Sequence, residues 1–188
     1  RAILLLLAAD AGVLFQYTAL SGWLPTFFTE IRSMNTTQSG FATSLLPLVG
    51  VISVLLGGVL PLKIGTPRFY LILPGILILL GGPACYLSGN PVIIYSALIL
   101  VGVGSWLYVP TLLSQTMRLA NMAPDKVSVI WGSLITFSGL SMFISPVLVG
   151  IIRDASGSFL GGFIICSIVS STLLISGIFI PKESEVKV

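Results

Sequence analysis

Histidine is absent from this sequence, which removes the commonest general base and the commonest metal ligand together. Charge is nearly as scarce. Asp, Glu, Lys and Arg make up 8% of the 188 residues, where a soluble domain carries about a quarter. A chain this short, with so little to present to water, cannot hide its apolar surface as an ordinary soluble fold. The only cysteines, Cys85 and Cys166, stand far apart in apolar runs. No disulfide or thiolate metal site is expected, and both read as small apolar fillers. The net charge of +3 rests on nine basic and six acidic groups, too few to make a nucleic-acid-binding face. No cofactor is implied. A membrane-embedded enzyme would need clustered nucleophiles, bases or metal ligands at depth, and one intramembrane acid does not supply them.

What the chain has in abundance is hydrocarbon: 55% hydrophobic residues and a mean hydropathy of +1.09. Such a surplus needs lipid as its second solvent. Charges, turn residues and Gly/Pro clusters cut the sequence into six runs, near 2–28, 41–62, 69–88, 92–117, 127–150 and 160–181. Each is long enough to cross about 30 Å of hydrocarbon at 1.5 Å per residue. None shows the strict alternation of a membrane barrel strand. The connections are short, so successive helices are expected to be antiparallel neighbours. The expected fold class is all-α membrane, a six-transmembrane-helix bundle forming one domain over 1–188. At the start, the apolar run after Arg1 continues past Asp10 to Trp23. That fits a piece opening at a helix end better than a signal peptide.

Orientation follows from the basic residues. With six spans, Arg1, Lys63, Arg68, Arg118, Lys126, Lys182 and Lys187 fall on one side, leaving Arg32 and Arg153 on the other. The positive-inside rule then places both termini in the cytoplasm, and a plasma (inner) membrane protein is expected.

The helices differ in what they can show to a polar solute. Counting 100° per residue, Asp10 shares a face with Tyr17, and Gly104, Tyr108, Thr111, Gln115 and Arg118 form one stripe. Trp131, Ser138 and Ser145 form another. Tyr17, Tyr108, Thr111 and Gln115 are the candidate cavity residues, although interhelical hydrogen bonding would explain the last three equally well. Asp10 is the sharpest single residue, because a carboxylate at mid-membrane costs about 3 kcal/mol on insertion scales. It is a candidate for proton coupling, with a hydrated structural acid as the alternative. Thr43, Gly50, Ser53 and Gly57 read as a helix-packing seam. Trp23 and Trp106 suit the aromatic belt at the membrane interface. The third and sixth helices, with only scattered small polar residues, look suited to lipid.

Two loops carry a family likeness. The stretch Gly57-Gly-Val-Leu-Pro-Leu-Lys-Ile-Gly-Thr-Pro-Arg68 resembles the cytoplasmic G-x-L-x-D-R-x-G-R-R loop of the major facilitator superfamily. Gly58, Leu60, Lys63, Gly65 and Arg68 fit that pattern, while Leu62 replaces the acid. Pro146-Val-Leu-Val-Gly-Ile-Ile-Arg-Asp-Ala-Ser-Gly-Ser158 resembles the P-x-x-x-G-x-x-x-D-x-x-G-S pattern closing the eleventh helix of those carriers. Trp23-Leu-Pro-Thr-Phe-Phe28 is similar to the end of their seventh. The resemblance implies helices seven to twelve of a twelve-helix fold, the C-terminal half of a secondary transporter working by alternating access. It also implies a missing N-terminal six-helix half, a small-molecule substrate and a coupling ion in symport. Gly58, Lys63, Gly65, Arg68, Gly150, Asp154 and Gly157 would be its conformational loop motifs. The stretch from Trp23 to Gly58 is most similar to the cyanate-permease-like or organic-anion carriers. A non-transporting sensor or assembly subunit on the same scaffold is the second reading.

Overall fold

A computed structural model of the chain describes residues 2–62, 66–119 and 123–180. Lys63 and Gly65 of the first loop motif lie outside the described residues. The elements are α1 (Ala2–Arg32), α2 (Thr36–Val59, extended by one 3₁₀ turn, Leu60–Leu62), α3 (Phe69–Leu87), α4 (Pro91–Leu107), α5 (Val109–Leu119), α6 (Pro124–Ser156) and α7 (Leu160–Phe179). With α4 and α5 taken together as one span, six helices are long and apolar enough to cross a membrane. No strand occurs among the described residues.

Local chemistry explains the turns. Beyond Arg32, Ser33 adopts φ 53° and Met34 N–H reaches back six residues to Phe28 O at 3.1 Å, satisfying one of the carbonyls left open at the helix C-terminus. Asn35 then opens α2 with a capping box, its side chain accepting from Gln38 N at 2.8 Å while Gln38 accepts from Asn35 N at 3.2 Å. Two opposite helix ends are thereby satisfied within three connecting residues. Prolines 25, 47, 74, 83 and 146 sit inside unbroken helices.

Span four is not one continuous helix, as the reading of 92–117 supposed. Pro110 lacks the N–H that Trp106 O would accept. The Tyr108 N–H turns to that carbonyl instead, ending α4, and α5 starts afresh at Val109.

α1 is the axis of the bundle, packed on α7, α6 and α2, while α3 packs on α4 and α7, and α2 on α4. Close approach of α1 to α7 depends on Gly12, where a Cβ would stand 2.7 Å from Val169 O. The third and sixth spans, whose scattered small polar residues suited them to lipid, keep an apolar face outward at Ile76, Leu80, Ile168 and Phe179 and bury the other in the bundle. The most hydrophobic stretches of α3 and α7 are 50% and 44% buried, against 22% for α2 and 17% for α6. The scattered serines of α7 point inward: Ser167 accepts a hydrogen bond from Gln16 Nε2 at 3.0 Å and lies 3.0 Å from Tyr86 Oη, and Ser176 donates to Leu5 O at 2.7 Å. Small polar side chains that pair inside the protein are helix glue rather than lipid-facing surface.

Arg68 fastens the beginning of α3 to the end of α7. Its Nε donates to Ile180 O at 2.8 Å and its Nη2 to Ile178 O at 3.3 Å and again to Ile180 O. A cation on the last carbonyls also complements the helix dipole. Arg68→Ala is therefore expected to fray this end, lowering amide-exchange protection at Ile180 about ten-fold, which corresponds to about 1.4 kcal/mol of local opening. Hydrogen–deuterium exchange of the detergent-solubilised protein reads this directly, and unchanged protection would contradict it.

Candidate functional site

A cavity of approximately 390 Å³ opens between α1, the α4–α5 break and α6. Leu14, Trp106, Leu112, Leu113, Trp131, Leu134, Ile135 and Met142 make most of its wall, so it is chiefly apolar, and Asp10, Tyr108 and Ser138 are its polar groups. Among the described residues, no Arg or Lys lines it. Asp10 stands roughly 12 Å along α1 from Ala2, at 1.5 Å per residue, and is only 9% exposed. Its carboxylate accepts from Tyr108 Oη at 2.7 Å and from Ser138 Oγ. One donor thus comes from the break in span four and the other from span five. Hydrogen bonds to an ionised acceptor are the strong ones, and removing one partner of a buried group costs about 1–3 kcal/mol.

The break itself delivers Tyr108. Pro110 interrupts the ladder two residues later, and the freed turn carries a fully buried tyrosine to the acid. Trp106, one turn before Pro110, is not an interface aromatic as its type suggested. It forms cavity wall, with its indole edge on Gly50 of α2, where a Cβ would meet Trp106 Nε1 at 2.8 Å. The small-residue stripe of α2 is thus the bed for α4. Tyr17 meets Trp106 edge-on, ring centroids 5.5 Å apart, and so stands behind the cavity wall.

Thr111 and Gln115 do not line the cavity. Thr111 Oγ1 and Gln115 Nε2 are sealed from solvent without a hydrogen-bond partner among the described residues. Of the residues that sequence reasoning grouped, the structure joins Asp10 with Tyr108 and leaves Tyr17, Thr111 and Gln115 outside. It adds Ser138 as the second donor and Trp131 as wall. Both had been placed on one face of span five, but nothing in the sequence linked that face to Asp10.

Residues 1–146 match the family profile of the Major Facilitator Superfamily. The chain belongs to the major facilitator superfamily. It is an integral multi-pass membrane protein of that family. It is 26% identical over 172 residues to the probable galactarate/D-glucarate transporter GudP of Bacillus subtilis (strain 168), covering 83% of this chain and 36% of that protein. Its fold matches a sulfate-bound mutant of the peptide transporter POT with a TM-score of 0.83 at 17% identity, covering 94% of this chain and 37% of that one. It also matches tetrameric PepTSo2 with a TM-score of 0.78 at 15% identity, covering 95% and 40%. The chain therefore spans between a third and two fifths of the length of these relatives.

In this superfamily chain the P-x-x-x-G-x-x-x-D-x-x-G-S stretch is a receptor for the far end of α1. Pro146 O accepts from Trp23 Nε1 at 2.8 Å. Gly150 leaves room for the indole, since a Cβ there would lie 3.1 Å from Trp23 Cζ2. Arg153 Nη2 donates to both Glu30 oxygens at 2.9 Å, while its guanidinium lies over Phe159 at 4.8 Å and Trp23 at 5.8 Å. The ion pair is partly exposed and contributes at most about 1 kcal/mol; the seated indole does more. Asp154 is largely exposed beside Arg153, 3.8 Å away. Gly157 closes α6 at φ 70°, its N–H on Arg153 O at 2.7 Å, a left-handed residue where glycine carries no Cβ penalty. Gly58 is exposed with open space around it. Gly150→Leu should therefore unseat Trp23, costing about 1–3 kcal/mol by overpacking, with a lower unfolding midpoint and red-shifted tryptophan emission. An unshifted spectrum would show that the indole is not seated there.

Proposed function

We propose that this chain is the C-terminal six-helix half of a secondary carrier that moves a small polar solute by alternating access, with Asp10 as its proton-binding group. The observation that carries the reading is the placement of Asp10: the single charged side chain among the described residues of the cavity wall, held by hydroxyls from two other spans. A carboxylate that exchanges a proton changes from pure acceptor to donor, so its occupancy alters the ties between α1, α5 and α6. Intramembrane acids facing a cavity commonly serve as proton relays.

The solute is an organic anion on this reading. The Bacillus subtilis relative bears the names of two sugar acids, which supports this class. Because the wall described here offers an acid and no cation, the positive partner for such a solute comes from the other half of the carrier. Trp106 and Trp131 give its carbon skeleton an apolar surface, and Tyr108 is the nearest hydroxyl. Thr111 Oγ1 and Gln115 Nε2, unsatisfied here, find polar partners in another state of the cycle, as alternating access around an interface site requires. The exposed apolar faces of α2 and α6 take the missing half. Both termini are cytoplasmic, since Arg68, Arg118 and Lys126 gather at the end that also carries them.

Asp10→Asn in the full-length protein should abolish proton-driven uptake while leaving the protein folded and inserted in the membrane. Uptake of a sugar acid into vesicles, measured across a pH series, checks this. An unchanged pH dependence in Asp10→Asn would exclude Asp10 as the coupling group.

A further inference from the structure

A second cavity, approximately 220 Å³, lies at the opposite end of the bundle from the chain termini, where α1 and α3 end and α7 begins. Arg32 is the only charged residue in its wall among the described residues, with Phe27, Ile31, Leu87, Ser158 and Leu160 among the others. No carboxylate pairs with Arg32 among the described residues: Glu30, two positions earlier, is taken by Arg153. The Arg32 Nη2 donates to Tyr86 O at 2.9 Å. The Nε is sealed from solvent with no acceptor. A guanidinium has five donors arranged to meet an oxyanion at two points, and this one has spent a single donor on a neutral carbonyl. Phe27 lies beneath it, 5.6 Å from ring centroid to Cζ, which orients the cation without neutralising it.

The surroundings select the kind of anion. Ile31 is 56% and Leu87 60% exposed, so the rim of the cavity is hydrocarbon. The cavity is walled by helix ends and by the α6–α7 connection, which in a spanning bundle lie at headgroup level. We infer that this cavity binds the phosphate of a membrane phospholipid, with Arg32 on the phosphate and an acyl chain lying along Ile31 and Leu87. A free oxyanion would find the same cation but would gain nothing from that rim. The site is separate from the Asp10 cavity and does not depend on the transport reading.

The test is native mass spectrometry of the full-length, detergent-solubilised protein with phosphatidylglycerol added. Diacylglycerol and inorganic phosphate serve as the headless and tailless controls. The wild type should retain phosphatidylglycerol but not diacylglycerol, and millimolar inorganic phosphate should not displace the lipid. Arg32→Gln should weaken retention about ten-fold or more, the scale of one lost charge-assisted hydrogen bond. Because Arg32 also holds the end of α3, Leu87→Trp serves as a second variant that obstructs the rim and leaves the cation in place; it should weaken retention as well. Retention at the wild-type level in either folded variant would overturn the proposal. So would displacement of the lipid by inorganic phosphate, which would assign the site to a free oxyanion.

Discussion

A carboxylate buried in a helix that crosses hydrocarbon needs donors from inside the protein, because lipid supplies none. Asp10 is given two, and they come from different spans: Tyr108 at the break between α4 and α5, and Ser138 on α6. That requirement fixes the rotation of three helices about their axes at one level of the bundle. It also makes sense of the interruption in span four. A continuous helix through Pro110 would leave the Trp106 carbonyl without its donor. The turn at Tyr108 resolves that carbonyl and delivers the phenol to the acid in the same move.

Other contacts fasten the bundle away from that level. Toward the termini, Arg68 grips the last carbonyls of α7. At the far end, Trp23 is seated on α6 between the Pro146 carbonyl and Gly150. The loop patterns shared with the superfamily thus have separate physical tasks in this chain. Arg68 does its work on a neighbouring helix end, and Pro146, Gly150 and Gly157 make a socket and its stop.

Six crossings were legible in the sequence because lipid imposes one rule on every span: about twenty apolar residues bounded by charges and turn formers. The end of α6 was legible because Gly157 takes a left-handed conformation that glycine adopts without a Cβ penalty. Side-chain placement was less so. The stripe through Tyr108, Thr111 and Gln115 continues from Tyr108 through α5, where Leu112 N–H bonds Tyr108 O at 2.9 Å, but residue spacing could not tell that Tyr108 alone of the three reaches the cavity. Pro110 alone did not announce the break, since Pro25, Pro47, Pro74, Pro83 and Pro146 sit in helices that continue. The inward faces of the third and sixth helices were not legible either: Ser167 and Gly75, which let them pack inward, read only as scattered small residues. Trp106 was assigned by residue type to the membrane interface, when its contact with Gly50 places it in the cavity wall.

The claim on which the account rests is that Asp10 and Ser138 are directly coupled. A double-mutant cycle of Asp10→Asn and Ser138→Ala in the full-length protein, read by reversible unfolding in detergent, measures that coupling. The account predicts an interaction energy of about 1–3 kcal/mol, as for a hydrogen bond to a buried charged group. Changes that add to within about 0.5 kcal/mol would mean the two side chains act independently, and would contradict it.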